Sequence, residues 1–306
     1  MSLARYAIMD GEVVPWHEAR VHVFTPAFKY GSNVFEGLRA YWNEDEEELY
    51  VFRLAEHMER LEFSQRMMRL DRIIDGDHVA SKVLELLRAN ETRETVHIRP
   101  TIFIAGDGDT TAQGPIHLAI TAVARPLPER VHAGCSAQIS NWERINDRAM
   151  PLRIKAGTNY GNSRYGAVQA KIDGYDTALF LNRNGKISEG PGMCFFMIRN
   201  GVPITPSVTS DILESITRDT VLELLRDRMG LSPVEREVDR SELGAAEEAF
   251  FCGTGWEITP INSIDRLDIG AGEPGPLTRR LQALYFDIVH GRDSEYGHWC
   301  TRVWGG

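Results

Sequence analysis

Residues 152–160 read LRIKAGTNY, and the interpretation of the whole chain begins from this stretch. An extended segment with apolar residues leads to Lys155, and the small, turn-permissive residues Ala156 and Gly157 follow it. A lysine with small neighbours is reachable, and desolvation lowers the pKa of its amine towards the nucleophilic range. The stretch therefore indicates Lys155 as a candidate nucleophile.

The composition shortens the list of competing amines. Of the 34 basic residues among 306, only five are lysine and 29 are arginine, which is permanently charged and a poor nucleophile. Lys82 lies in a predicted helix, Lys171 near a helix end and Lys186 after an Asn-Gly turn, so a surface position explains each of them. Lys29, in FKYG at 28–31, is the remaining competitor.

Length and composition exclude several classes of protein. The length favours two domains, and the absence of a long apolar run or a signal-peptide pattern predicts no membrane span and no export. Four cysteines without CxxC spacing argue against a metal site and favour free thiols in a reducing cytoplasm. A net charge of −10 argues against nucleic acid as a partner.

The order of predicted elements indicates a mixed α/β (α+β) chain. Short strands are predicted at 6–9, 12–14, 21–24 and 35–42, followed by helices from residue 54 and over 77–90 and by strands at 95–105 and 116–123. The proline-containing stretch 124–134 reads as a linker. The predicted domains are therefore residues 1–123 and 135–306.

Several further residues are candidates for binding charged ligands. Glu189 lies in the glycine-flanked bend SEGPG, which is either a solvated turn or a carboxylate held for a ligand cation. The helix predicted to begin after Ser215 and the turn GTG at 253–255 offer backbone amides to an anion, or are routine capping. Neither GxGxxG nor a P-loop is present, so nucleotide-binding loops are unsupported.

Seven segments, taken together and in order, resemble the fold-type IV pyridoxal-phosphate enzymes, and most closely the branched-chain aminotransferases. They are Tyr30-Gly31 with FEGLR at 35–39, FRLAEHMERL at 52–61, HIRP at 97–100, KAGTNY at 155–160, ISEGPG at 187–192, ITRD at 216–219 and GTGWEITP at 253–260. The resemblance implies a small N-terminal α/β domain and a larger, β-rich C-terminal α/β domain. It also implies pyridoxal 5'-phosphate as cofactor and a homodimer or larger assembly.

The resemblance assigns cofactor contacts to individual residues. It implies that Lys155 forms the internal aldimine, a Schiff base, and then moves the proton between the substrate α-carbon and the cofactor. It implies that Glu189 faces the pyridine nitrogen, Tyr160 the phenolic oxygen and Leu213 the ring. The phosphate contacts that it implies come from Arg60, Ile216, Thr217 and Thr254.

The implied activity is ping-pong transfer of the amino group of L-leucine, L-isoleucine or L-valine to 2-oxoglutarate. Arg99 would hold the distal carboxylate of glutamate, and the backbone around Thr254 and Gly255 would receive the α-carboxylate. The residues implied to line the substrate pocket are Tyr30, Phe35, Gly37, Arg39 and His97.

The chain departs from the family pattern in four places, which leaves alternatives open. One of them follows SEGPG, where the family often has Asn-Leu-Phe and this chain has MCFF at 193–196. His97 stands where these enzymes usually have tyrosine, and it would replace the hydroxyl best if protonated. Trp256 stands where a small residue is common, and the linker lacks pocket aromatics. A D-amino acid or (R)-amine transaminase and an aminodeoxychorismate lyase are the enzymatic alternatives, and a non-catalytic binding protein is the alternative from another class.

Overall fold

The computed structural model describes residues 4–305, and residues 1–3 and 306, at the outer ends of the two predicted domains, lie outside this range. The chain divides into two compact units. Unit 1 comprises the described part of Met1–Pro126, Ile154–Thr158 and Phe286–Gly306. Unit 2 comprises Leu127–Arg153 and Asn159–Tyr285.

Helices and strands alternate along the chain, which confirms the predicted mixed α/β class. The strands are β1 Tyr6–Met9, β2 Glu12–Pro15, β3 Asn33–Phe35, β4 Leu38–Asn43, β5 Glu48–Phe52, β6 Val96–Ile104, β7 Ile116–Ala124, β8 Cys135–Ile139, β9 Thr177–Leu179, β10 Cys194–Arg199, β11 Val202–Thr205, β12 Val234–Glu235, β13 Glu248–Gly253, β14 Glu257–Ile264, β15 Leu267–Asp268 and β16 Cys300–Arg302. The helices are α1 Pro26–Tyr30, α2 Leu54–Met68, α3 Gly76–Ala89, α4 Arg130–Ala133, α5 Asn159–Ile172, α6 Ile216–Asp227 and α7 Pro276–Val289.

An antiparallel sheet with α2 and α3 packed on it forms unit 1. Its strand order is β16-β5-β4-β6-β7-β1-β2, with β3 also paired to β6. Four apolar residues of α3 recur at helical spacing and are fully buried in the same core cluster as alternate residues of β6 and β7: Val79, Val83, Leu86 and Leu87. The carboxylate of Asp75 caps α3 by accepting a hydrogen bond from the amide of His78, 3.0 Å away.

The structure differs from the predicted strands at two places. Residues 21–24, predicted as a strand, form a loop and turn in which Val23 and Phe24 are exposed, so their apolar pattern does not reflect burial. The predicted strand at 35–42 is interrupted at Glu36 and Gly37, between β3 and β4.

The compact units also differ from the predicted division of the chain. β16 pairs with β5, and the Glu48 carboxylate accepts hydrogen bonds from the amides of Val303, Trp304 and Gly305. These contacts place the C-terminal residues in unit 1 instead of the predicted domain 135–306. A sequence pattern gives no sign of this pairing because the two strands lie about 250 residues apart.

Unit 2 contains a second sheet, of order β12-β11-β10-β13-β14-β8-β9, with β15 paired to β14. Four phenylalanines of β10 and β13 are fully buried, namely Phe195, Phe196, Phe250 and Phe251, and the rings of Phe196 and Phe250 stack with centroids 5.0 Å apart. Helix α6 is capped by Ser215, whose hydroxyl accepts from the amide of Arg218, and it buries Val221 and Leu225. No helix among residues 4–305 is long and apolar enough to cross a membrane.

Candidate active site

The Lys155 segment is held in unit 1 as an extra partner of β3. The amide of Phe35 donates to the carbonyl of Lys155 at 3.0 Å, and the amide of Gly157 donates to the carbonyl of Asn33 at 3.1 Å. On the other side, the amide of Lys155 donates to Oγ of Ser64 in α2 at 3.3 Å. The backbone of the candidate nucleophile is therefore fixed from two elements of one unit.

Small residues next to Lys155 fit this close pairing. A Cβ atom at Gly157 would lie 2.6 Å from Oδ1 of Asn33, so a larger residue there would require the Asn33 side chain to move. Ala156 forms an antiparallel bridge with Val34 and is 1% exposed. The Lys155 amine lies 5.3 Å from the centroid of the Phe35 ring.

A buried carboxylate lies beside Arg60, the residue predicted to bind phosphate. The Glu36 carboxylate accepts from Nε and Nη2 of Arg60 at 2.8 and 2.7 Å, and its Oε2 lies 2.7 Å from Nδ1 of His57. Burial alone would raise the pKa of Glu36, but the charge and hydrogen bonds of Arg60 and the hydrogen bond of His57 hold it well below the ordinary value. Glu36 is therefore an anion that orients Arg60.

The predicted substrate residues of unit 1 lie on neighbouring strands. Arg39 in β4 stands opposite His97 in β6, and Cζ of Arg99 lies 3.6 Å from the centroid of the Phe35 ring. A Cβ at Gly37 would lie 3.2 Å from Nε2 of His97, so Gly37 allows the imidazole to approach the chain closely. Arg39 is 1% exposed and donates through Nη2 to a main-chain carbonyl.

His97 is uncharged, in contrast to the protonated form considered from the sequence. Burial is the largest influence, and the positive charges of Arg125, Arg39, Arg99 and Lys155 add to it, lowering the pKa of His97 to about 3. At neutral pH the imidazole can therefore offer a hydrogen bond to a carboxylate but no charge.

Tyr30 and Lys29, near the N-terminus, make different contacts from the predicted substrate residues on β4 and β6. Tyr30 ends α1 and is 43% exposed, and its ring centroid lies 5.2 Å from the Lys29 amine. Lys29 donates to the carbonyl of Gly108 at 2.7 Å and lies over the ring of Phe24. An amine with these partners is anchored to a loop, which weakens Lys29 as a competing nucleophile.

In unit 2 the predicted carboxylate Glu189 is buried and held at both oxygens. Its Oε1 accepts from Nη2 of Arg144 at 2.6 Å, and its Oε2 accepts from the amide of Leu213 at 3.3 Å. The amide of Gly190 donates to the carbonyl of Met193, which closes the glycine-flanked bend. Glu189 and Leu213, predicted to contact the same ring, are thus brought together, and the solvated-turn interpretation of SEGPG is wrong because Glu189 is only 3% exposed.

The other predicted cofactor residues of unit 2 lie at element ends. Ile216 and Thr217 form the first turn of α6, where backbone amides and the helix dipole favour an anion. Tyr160 lies in the first turn of α5, and a Cβ at Gly192 would lie 3.6 Å from its Cε1 atom. Thr254 lies in the turn between β13 and β14.

The turn that contains Thr254 is held by an arginine. Nη2 of Arg130 donates to the carbonyl of Gly255 at 3.1 Å, and Cζ of Arg130 lies 4.3 Å from the Trp256 ring centroid. The Trp256 ring also packs against Phe251, with centroids 5.9 Å apart. The unusual tryptophan thus has a packing role that braces this turn.

Sequence reasoning missed four functional neighbours: Glu36, His57, Ser64 and Arg144. Glu36 and His57 lie inside quoted segments, so their signal was present in FEGLR and in the histidine three residues before Arg60. Arg144 gave no signal, because a charged residue in a loop is ordinarily exposed. Within residues 4–305 no group of three or more His, Cys, Asp or Glu side chains could hold a metal ion.

Comparisons with known proteins show the family of the chain. The family described as amino-transferase class IV matches residues 33–264. The branched-chain-amino-acid aminotransferase of Escherichia coli (strain K12) is 34% identical over 307 residues, covering 98% of each chain. The chain therefore belongs to the class IV aminotransferases, and it is an enzyme of that class.

Solved structures place it more narrowly. The branched-chain amino acid aminotransferase of Thermobaculum terrenum, crystallised in PLP-form, superposes with a TM-score of 0.93 at 44% identity, covering 99% of both chains. The branched-chain aminotransferase of Thermoproteus uzoniensis, crystallised with norvaline, superposes with a TM-score of 0.93 at 39% identity, covering 98% of this chain and 100% of that one. Within class IV the chain belongs to the branched-chain-amino-acid aminotransferase family.

Proposed function

We propose that this enzyme transfers the amino group of L-leucine, L-isoleucine or L-valine to 2-oxoglutarate by a ping-pong mechanism, with Lys155 as its catalytic amine. The observation that carries the proposal is the two-sided backbone attachment of Lys155 to Phe35 and Ser64, beside the Glu36–Arg60 pair. Attachment of this kind fixes the backbone that carries the amine, which reduces the entropy lost on reaction.

Pyridoxal 5'-phosphate is the cofactor, and when bound it supplies an aldehyde for amines and an electron sink for the α-carbon. The donor set of the chain fits this group: a primary amine, a guanidinium, a buried carboxylate, a phenol and a capped helix start. Lys155 moves the proton at the substrate α-carbon. Glu189 holds the proton of the ring nitrogen, Tyr160 bonds the phenolic oxygen and Leu213 packs on the ring. The phosphate is bound by Arg60, Ile216, Thr217 and Thr254.

The substrate side of the proposal begins from Phe35, Arg39, His97 and Arg99, which share one face of the unit 1 sheet. The guanidinium of Arg99 lies on the Phe35 ring, so a cation for the distal carboxylate and an apolar wall for a branched side chain are adjacent. Neutral His97 donates a hydrogen bond to the α-carboxylate, together with the backbone of Thr254 and Gly255. Tyr30, Gly37 and Arg39 shape the pocket.

Replacement of the two candidate lysines tests the proposal. We expect the protein purified with pyridoxal phosphate to be yellow, to fix the cofactor on Lys155 after borohydride reduction, and to transaminate L-leucine with 2-oxoglutarate. Lys155→Ala should abolish the visible band and the turnover, whereas Lys29→Ala, the matched control, should retain both. A band that survives Lys155→Ala would contradict the assignment. Turnover of D-alanine or (R)-1-phenylethylamine without turnover of L-leucine, L-isoleucine or L-valine would contradict the substrate class.

We also propose that the chain self-associates as a homodimer or a larger assembly. Each unit exposes apolar side chains that a second copy could cover: Phe24 and Phe28 in unit 1, and Tyr165 and Ile172 in unit 2. A cytoplasmic location is likewise proposed, and the four unbridged cysteine thiols support it.

A further inference from the structure

Arg144 is the one neighbour of Glu189 that carries a positive charge among the contacts described above. Its side chain is 6% exposed, and Nη2 donates to Oε1 of Glu189 at 2.6 Å. Nη1 donates to Oγ of Ser163 at 2.9 Å, and the Arg144 amide donates to the carbonyl of Leu181. The guanidinium is thus fixed by α5 and by its own backbone, and these contacts all lie within unit 2.

We infer that Arg144 is a positioning residue that keeps the Glu189 carboxylate ionised and aimed at the cofactor's ring nitrogen. The inference rests on the proposed role of Glu189 and adds a residue to which neither the sequence segments nor that role assigns a function.

The physical reason lies in the burial of Glu189. A buried carboxylate without a countercharge takes up a proton, because the interior solvates the ionised form poorly. Arginine keeps its charge in proteins, and its hydrogen bond to a carboxylate is a strong, charge-assisted one. The amide of Leu213 holds the second oxygen, so the carboxylate is fixed in orientation as well as in charge.

The effect of Arg144 on the reaction depends on whether one proton lies on the ring nitrogen or on Glu189. With Arg144 present, the ring nitrogen keeps the proton and Glu189 remains the anion that faces it. Without the guanidinium, Glu189 becomes the more basic partner, so the proton passes from the ring nitrogen to a Glu189 oxygen. A ring nitrogen without its proton draws electrons less strongly, which slows proton removal at the substrate α-carbon.

The ring-nitrogen resonance of protein carrying nitrogen-15-labelled pyridoxal phosphate measures this proton directly. In Arg144→Gln we expect the resonance to move downfield, towards the unprotonated value. We expect kcat to fall by roughly 10–100-fold, by analogy with the loss found when the hydrogen-bond partner of a metal-binding side chain is removed. Arg144→Lys, which keeps the charge, should restore the wild-type resonance and most of kcat.

Arg218→Gln is the matched control for loss of a buried arginine. Arg218 is also 6% exposed in its side chain and donates to Glu235 at 2.7 Å, a carboxylate without a proposed role. This variant should lose stability without moving the ring-nitrogen resonance. An unchanged resonance in Arg144→Gln would overturn the inference and leave Arg144 with a purely structural role.

Glu189→Gln separates failure of the inference from failure of the proposed function. If Glu189→Gln leaves the resonance unchanged, then Glu189 does not face the ring nitrogen and the proposed role itself fails.

If Arg144→Gln does not fold, the double variant Arg144→Gln/Glu189→Gln removes both charges and leaves none buried alone. Compared with Glu189→Gln, the double variant should show the same resonance and a kcat within about twofold, because a residue that acts only through Glu189 has no further effect once that carboxylate is gone. A further tenfold loss would show that Arg144 acts independently of Glu189 and would overturn the inference.

Discussion

Glu36 shows how a single buried side chain connects the sheet of unit 1 to its helix α2. It lies at the break between β3 and β4, and its carboxylate bonds Arg60 and contacts His57 one turn apart on α2. Because the helix repeats every 3.6 residues, residues 57 and 60 present their side chains on one face. Because residues two apart share a face of a strand, Glu36 falls on the same side as Val34 and Leu38, which lie in the core cluster with α2.

At the residue scale, this arrangement predicts how stability depends on pH. Glu36→Gln should lower the free energy of unfolding at pH 7 by about 3–5 kcal/mol, because it leaves the buried charge of Arg60 without its anion. The pKa of Glu36 is lowered in the folded protein, so its stabilisation is fully present above the ordinary value of 4.5 and is lost as pH falls towards the folded pKa. Denaturant unfolding from pH 7 to pH 3 measures this effect. The difference in the free energy of unfolding between wild type and variant should decrease on acidification. A difference in the free energy of unfolding that does not change with pH would contradict the ionised state of Glu36.

Residue-scale roles were only partly predictable from the sequence. Lys155 and Glu189 could be selected because each stands in a segment of small or turn-forming residues. Such a segment limits the structural roles that a charged side chain can have. Arg144 could not be selected, because its burial depends on tertiary contacts with Ser163 and Leu181 that no local pattern encodes. The charge of His97 could not be predicted either, since its lowered pKa depends first on burial and then on nearby arginines of β4, β6 and the residue after β7.

At the element scale, the start of α6 combines a cap with a proposed anion site. Ser215→Ala removes the hydroxyl that accepts from the Arg218 amide, and should destabilise the protein by about 1 kcal/mol. Because the cap orders the amides of Ile216 and Thr217, the Kd of pyridoxal phosphate should rise roughly two- to fivefold.

Asp75→Ala is the matched control for the loss of a helix cap. It removes the equivalent cap of α3, whose residues have no proposed cofactor contact, so stability should fall similarly while the Kd stays unchanged. Titration of each apoprotein with pyridoxal phosphate, followed by absorbance, gives the comparison. Equal cofactor affinities in all three proteins would argue against α6 as part of the phosphate site.

Elements were more predictable from the sequence than the pairing between them. The helix predicted over 77–90 is observed as α3 Gly76–Ala89, because its apolar residues recur at the helical period. The strands predicted at 95–105 and 116–123 are observed as β6 and β7 for the corresponding reason. Residues 21–24 form a loop where the sequence predicts a strand, because the exposed residues Val23 and Phe24 are of the apolar types that buried strands contain.

At the scale of the whole molecule, the exposed apolar residues predict self-association. The exposed aromatic side chains of both units are apolar surface that a second copy of the chain could cover. Sedimentation of the purified enzyme should therefore give at least twice the mass of the 34.5 kDa chain. Phe28→Ser, at a residue 71% exposed, should weaken the assembly without lowering the stability of the fold. A stable, active monomer of wild-type protein would contradict the proposed assembly.

The pairing of β16 with β5 has a consequence for how the protein is made. A ribosome releases residues in order, so β5 emerges early, while β16 and the amides bound by Glu48 emerge only after all of unit 2. During that interval the backbone groups of β5 on this side lack their strand partner, and a bare strand edge is open to pairing with other chains. The nascent chain is therefore most exposed to aggregation before its last strand arrives, and the rate of translation or the presence of a chaperone should govern the yield of folded enzyme.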